Sequence, residues 1–150
     1  MRKVTIALGA VLLGLYLTAS FLHLDPDERR PGVSLSGNLA ASQDTDWSFL
    51  DGRNKIYVQM STWYGIPHSI TTTSWVHNGE LYVPCGRCES KNWPNHVARN
   101  NDVRLKVRGE LYDRRAVLLT QEEELRTVMN LADGEPTPPG VWVYRMMPRT

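Results

Sequence analysis

Cys85-Gly86-Arg87-Cys88 holds both cysteines of the chain, with Ser90, Lys91, Trp93 and His96 close behind. Two thiols at this spacing have three uses. They can exchange with a substrate disulfide, as in thioredoxin-like sites, where a cation or helix start favours the thiolate. They can give half of a tetrahedral zinc set, completed by His96 and either His68 or His77. They can also close on each other and pin the loop, the expected state in an oxidising compartment. The order of elements around them is not that of thioredoxin, and the histidines lack close His-x-x-x-His spacing. A structural disulfide is therefore expected, and no metal site is assigned.

The same stretch gathers Arg87, Lys91, Arg99, Arg104 and Lys106 around a strand, a loop and a helix start. Free backbone N–H groups and cations that converge in this way can hold a phosphate. Arg104 and Lys106 alternate with Val103, Leu105 and Val107, so they read as the wet face of a strand, and Lys91 stays the open candidate. Trp63, Trp75 and Trp93 could offer flat faces to a ring system, but they read first as the core and rim of a barrel. No Ser-His-Asp arrangement can be picked out.

These groups need elements to position them. Residues 55–63 and 68–77 are rich in β-branched and aromatic types and read as strands. Asn78-Gly79 is the preferred pair for a two-residue hairpin turn, which makes residues 80–83 the return strand. Residues 93–100 form a short helix with Pro94 tolerated in its first turn. Residues 102–108 and 110–120 pair around Gly109. Residues 121–132 form a helix capped by Thr120 with Glu123 three positions on, burying Leu125, Val128, Met129 and Ala132. Residues 141–146 close the chain as a strand. About six mostly antiparallel strands with two short helices imply a small closed or half-closed barrel, or else an open α+β sandwich.

The 150 residues suit one domain with a tail, and 17 basic against 16 acidic residues remove the electrostatic case for nucleic acid. Residues 4–24 carry no Asp, Glu, Lys or Arg and are long enough to cross a bilayer as a helix. Arg2 and Lys3 precede them, which puts the remainder on the non-cytoplasmic side. A cleaved signal peptide ending near Thr18-Ala19-Ser20 is the rival, but the apolar run continues through Leu24. The expected division is thus a membrane anchor over 1–24, a linker over 25–46 packed in part near Val33 and Leu35, and a folded domain over 47–150.

The order Gly65-Ile66-Pro67-His68, Trp75-Val76-His77-Asn78-Gly79-Glu80-Leu81-Tyr82-Val83, Ser90-Lys91, Trp93, then Val97-Ala98-Arg99-Asn100-Asn101-Asp102-Val103-Arg104-Leu105 and Gly109 resembles the flavin-binding split β-barrels. These are the pyridoxamine-phosphate-oxidase-like and deazaflavin-dependent-nitroreductase-like proteins. The resemblance runs over residues 47–120. It implies a mainly-β fold, a six-stranded antiparallel split barrel with short helices, here preceded by one N-terminal transmembrane helix. It also implies a homodimer with FMN or a deazaflavin near the subunit interface. Lys91, Ser90 and Arg87 would meet the cofactor phosphate, and Thr71, Thr73 and Trp75 the ring. The chain departs from the pattern at Asn101-Asp102 and at Pro84–Glu89, where the cysteine loop replaces the usual linking residues.

The resulting expectation is a membrane-anchored, nitroreductase-like flavin or deazaflavin oxidoreductase with a small-molecule substrate, its domain in the periplasm. Two alternatives stand beside it. One is a cofactor-free exported binding or assembly module clipped by Cys85–Cys88. The other is a thiol–disulfide exchange protein.

Overall fold

The computed structural model describes residues 2–149, with side chains from residue 5 onward. Alternation of apolar and polar residues decides the strands. In β2 (Asn54–Met60), Ile56, Val58 and Met60 point inward. β3 (His68–His77) pairs antiparallel with β2 from Met60↔His68 to Asn54↔Ser74. Asn78 and Gly79 both take positive φ, 50° and 76°, and turn the chain into β4 (Glu80–Gly86) as the Asn-Gly pair requires. β5 (Asp102–Val107) buries Val103, Leu105 and Val107, then turns through Arg108 and Gly109 into β6 (Glu110–Leu118). The chain returns as β7 (Val141–Pro148).

β2–β7 make one sheet in the order β6-β5-β2-β3-β4-β7, and pairing of β6 with β7 closes it. The antiparallel six-stranded barrel is therefore present, and the open sandwich is not. A two-residue strand, β1 (Asn38–Leu39), adds to β6 in parallel at Glu110 and Leu111. Inside the barrel Ile56, Val58, Leu81, Val83, Leu105 and Met146 belong to one apolar cluster. Each such side chain contributes about 1.5–3 kcal/mol by leaving water. A second cluster, Tyr82, Leu119, Val128 and Val143, covers the outer face of β4 and β7.

That outer cover comes from α3 (Glu122–Met129), the helix that follows the short α2 (Trp93–Arg99) in the chain. It buries Val128 and half-buries Leu125 and Met129, while Ala132 lies beyond its end and is exposed. The expected capping box does not form. Gln121 is the N-cap and makes no side-chain cap bond, because Thr120 sits one residue too early. Glu122, Glu123 and Glu124 in the first turn supply the negative charge a helix start favours.

The N-terminal apolar run forms α1 (Arg2–Phe21). Among the described residues no helix is long and apolar enough to cross a membrane, so the expected transmembrane helix is not met. The end of the run belongs to the folded part instead. Leu24 leaves the helix and exchanges backbone hydrogen bonds with Val33 and Ser34. Residues 25–46, expected as a linker, are held against the barrel as a strap. The packing expected near Leu35 is there: Leu35 is buried and its N–H donates to Gln59 Oε1 at 2.7 Å. Asp25 accepts from Ser36 and from Lys106 of β5. Burial works to raise the Asp25 pKa, but the Lys106 and Ser36 bonds outweigh it and hold the carboxyl below its usual value.

Cys85 and Cys88 are bonded, with S–S 2.09 Å, and both are 1% exposed. Cys88 N–H donates to Gly140 O at 3.0 Å, which ties the loop to the start of β7. Replacing both cysteines by Ser should lower stability by about 2 kcal/mol, the value for so short a closed loop, with the barrel retained. Urea unfolding with and without reductant checks this, and reductant should leave the double variant unchanged.

Arg114 is 1% exposed inside the barrel. Its guanidinium lies 5.1 Å from the Trp47 ring and 5.4 Å from the Tyr112 ring. One nitrogen donates to Asp113 O, while Nε and Nη2 have no partner. Burial pushes its pKa down. A buried charge with spare donors costs more than an apolar side chain of the same length. Arg114→Met should therefore raise stability by about 1 kcal/mol in urea unfolding; a loss would mean that stacking on the two rings outweighs desolvation.

Candidate functional site

The ladder between β3 and β4 is short, holding only Trp75↔Tyr82, Val76↔Leu81 and His77↔Glu80. Continued, it would set Pro84 opposite Thr73. Proline has no N–H to donate, so the ladder cannot run on there. β4 follows β7 instead, through Pro84↔Val143, Cys85↔Trp142 and Gly86↔Val141. β3 stays with β2 as far as His68. The two strands part, and the barrel is split between them.

Two cavities open at the split. One, of about 330 Å³, is lined by His68, Thr71 and Thr72 of β3, by Pro84, Lys91 and Trp93, and by the strap residues 28–31. The other, of about 430 Å³, lies under α3, where Trp75, Pro84, Val128, Met129 and Val141 make it mainly apolar. Both fall in the ~300–1,000 Å³ range of small-molecule sites. Pro84 lines both, so they adjoin across one residue.

The sequence-predicted residues divide cleanly. Lys91 follows the 3-10 turn Cys88–Ser90 in extended conformation, lines the first cavity and takes part in none of the ion pairs among the described residues. Thr71 lines the same cavity, and its Oγ1 is buried without a partner. Trp75 lines the second cavity, its indole donating to Val128 O at 2.8 Å and its ring stacked on Tyr82. Ser90, Arg87 and Thr73 line neither. The Ser90 hydroxyl is spent on Arg87 O at 2.8 Å, Arg87 stands exposed at the loop tip with φ 50°, and Thr73 faces outward. Arg104 and Lys106 are neutralised by Asp113 and Asp25 and are not free for an anion. Trp63, read as core or rim, is 78% exposed.

The cysteine alternatives lose their support. Bonded sulfurs are not thiolates, and among the described residues no group of three His, Cys, Asp or Glu is placed to hold a metal. An attacking thiolate needs access to a sulfur, and both cysteines are buried. Sequence reasoning missed the strap wall, because Asp25-Pro26-Asp27-Glu28-Arg29-Arg30-Pro31 has no periodicity to say where it packs. Gly32 was its one signal.

His68 is half-buried, with its ring centroid 5.7 Å from that of His96. Burial, then the neighbouring His96, lowers its pKa below 6.5. The unfolded chain therefore binds the proton first as pH falls, so stability is full above about 6.5 and declines below it. Thermal melts of His68→Gln between pH 7 and pH 5 should show a shallower decline than the parent protein; an unchanged slope would clear His68 of that role.

No family model matches the sequence, and no curated protein matches it either. Solved structures do. General stress protein 26 from Bacillus anthracis is 14% identical, covering 71% of this chain and 88% of its own, with a TM-score of 0.52. A Listeria innocua protein described as a candidate pyridoxamine 5′-phosphate oxidase is 18% identical over 64% of this chain and 84% of its own, with a TM-score of 0.49. A NimC/NimA family protein from Clostridium acetobutylicum is 12% identical over 61% and 72%, with a TM-score of 0.43. The topology, the split beside Pro84 and the match to general stress protein 26 agree on one fold: the chain has the six-stranded split-barrel fold seen in that protein.

Proposed function

We propose that the split holds a flavin or deazaflavin and that the protein is an oxidoreductase of the nitroreductase-like kind, acting on a small molecule. The observation that carries this is the pair of cavities joined at Pro84, one cationic and one apolar. The residues present fit such a group. Lys91 offers an unpaired charge to a phosphate, and Thr71 offers a buried hydroxyl with no other partner. Trp75 and Met129 supply flat and adaptable apolar walls for a ring. Once bound, the flavin supplies hydride or electron transfer. The chain binds and orients it, and α3 keeps water from the apolar side. His68, kept neutral at pH 7 by burial, adds a proton acceptor to the wall beside Thr71.

The same reading puts the folded part on the non-cytoplasmic side of a cell membrane, supported by the disulfide. It also pairs two copies of the chain as a homodimer, which light scattering tests directly.

The absorption spectrum of the natively purified, disulfide-bonded chain, before and after addition of FMN or a deazaflavin, tests the cofactor. A bound chromophore released on denaturation is the expected result. Lys91→Ala should weaken FMN binding about tenfold, the loss of one charge-assisted hydrogen bond. A folded protein that stays colourless and takes up neither cofactor would sink the reading and favour the cofactor-free binding module.

A further inference from the structure

The wall of the first cavity that faces away from β4 is not part of the barrel. It is the tip of the strap, Glu28, Arg29, Arg30 and Pro31. This tip is built with care for its position. Asp27 and Arg30 exchange backbone hydrogen bonds and close a tight turn. Directly after it, Gly32 exchanges two backbone hydrogen bonds with Ser69 of β3, at 2.9 and 3.0 Å. A Cβ on Gly32 would run into Leu24 O, Ser69 Oγ and Pro26 N, so only glycine lets the strap lie this close. On the other side Asp25 is fixed to Ser36 and Lys106. The tip is thus clamped from both ends onto the one part of β3 that β4 has left.

The charges it carries there are unspent. Neither Arg29 nor Arg30 enters an ion pair or side-chain hydrogen bond among the described residues, and Lys91 across the cavity does not either. Arg104, Lys106, Arg115, Arg145 and Arg149, by contrast, all have carboxylate partners. Three cations and one carboxylate, Glu28, therefore line a cavity whose floor holds the unpartnered Thr71 Oγ1. Such a set is matched by a dianion with several acceptor oxygens.

We infer that the strap is half of an anion clamp: Arg29 and Arg30 from the strap and Lys91 from the barrel together grip a phosphate monoester. The ligand class is a phosphorylated small molecule. The inference rests on the proposed site in one respect, that FMN is its natural probe. It adds that the phosphate is read by residues outside the barrel, which a barrel without this strap would lack.

The test compares the full 150-residue chain with the Arg29→Ala/Arg30→Ala double variant and with Gly32→Ala, which shifts the strap without touching a charge. FMN, riboflavin and inorganic pyrophosphate are titrated against each by calorimetry, at low and high salt. Both arginines are exposed, and unchanged circular dichroism confirms the fold of each variant. The parent protein should prefer FMN to riboflavin, and this preference should drop at least tenfold in both variants, with riboflavin affinity unmoved. An FMN preference that survives in the double variant overturns the clamp and leaves the flavin reading standing. Pyrophosphate binding that both variants lose, with no flavin bound by any of them, upholds the clamp and overturns the flavin reading. No binding of any anion by the parent protein overturns both.

Discussion

Pro84 cannot donate a backbone hydrogen bond, and β4 leaves β3 soon after Tyr82 to follow β7. Most of what is distinctive about the molecule depends on that divergence. It opens the wall of an otherwise closed six-stranded barrel and bares the Thr-rich middle of β3. It brings the cysteine loop and Lys91 round to face that strand. It also leaves β3 with backbone groups for the strap to take up at Ser69. A residue with an N–H at this position would remove the constraint that parts the two strands.

Support for the split is spread over distant parts of the chain. The disulfide fixes the loop that carries Lys91, and Gly140 O holds Cys88 from the start of β7. α3 roofs the apolar side by packing Val128 over Val143 and by accepting the Trp75 indole proton. Glu124 of that helix meets Arg145 of β7. The last third of the chain thus braces both cavities and supplies part of the apolar one.

Where local chemistry decides structure, the sequence was readable. Asn78-Gly79 forced its hairpin, and Val103, Leu105 and Val107 turned inward on a strict period of two. The Cys-x-x-Cys pair closed on itself, as expected of a structural disulfide. Lys91 and Thr71 line one of the two cavities at the split, and Trp75 lines the other. What could not be read was decided by long-range packing. Ser90 is adjacent to Lys91, yet its hydroxyl turns back on Arg87 O. Thr73 shares a strand face with Thr71 and Trp75, yet falls between the cavities. Residues 25–46 have linker composition, and only the fit of Gly32 against β3 and the pairing of Asp25 with Lys106 reveal them as a wall. The apolar N-terminal run gave up its last residues to the same segment, through hydrogen bonds that no hydropathy pattern encodes.

The strap also sets an order of assembly. Asp25 finds Lys106 across 81 positions of sequence, whereas β3 and β4 meet across a two-residue turn. Contacts between near neighbours form early, and those that close long loops come late. The strap is made first, but its Asp25 anchor can form only after β5 has been made. During that interval the barrel has its cavity but not the arginine wall, so the mouth on the β3 side is wide and then narrows. The arginine wall is thus the last side of the cavity to be fixed in place.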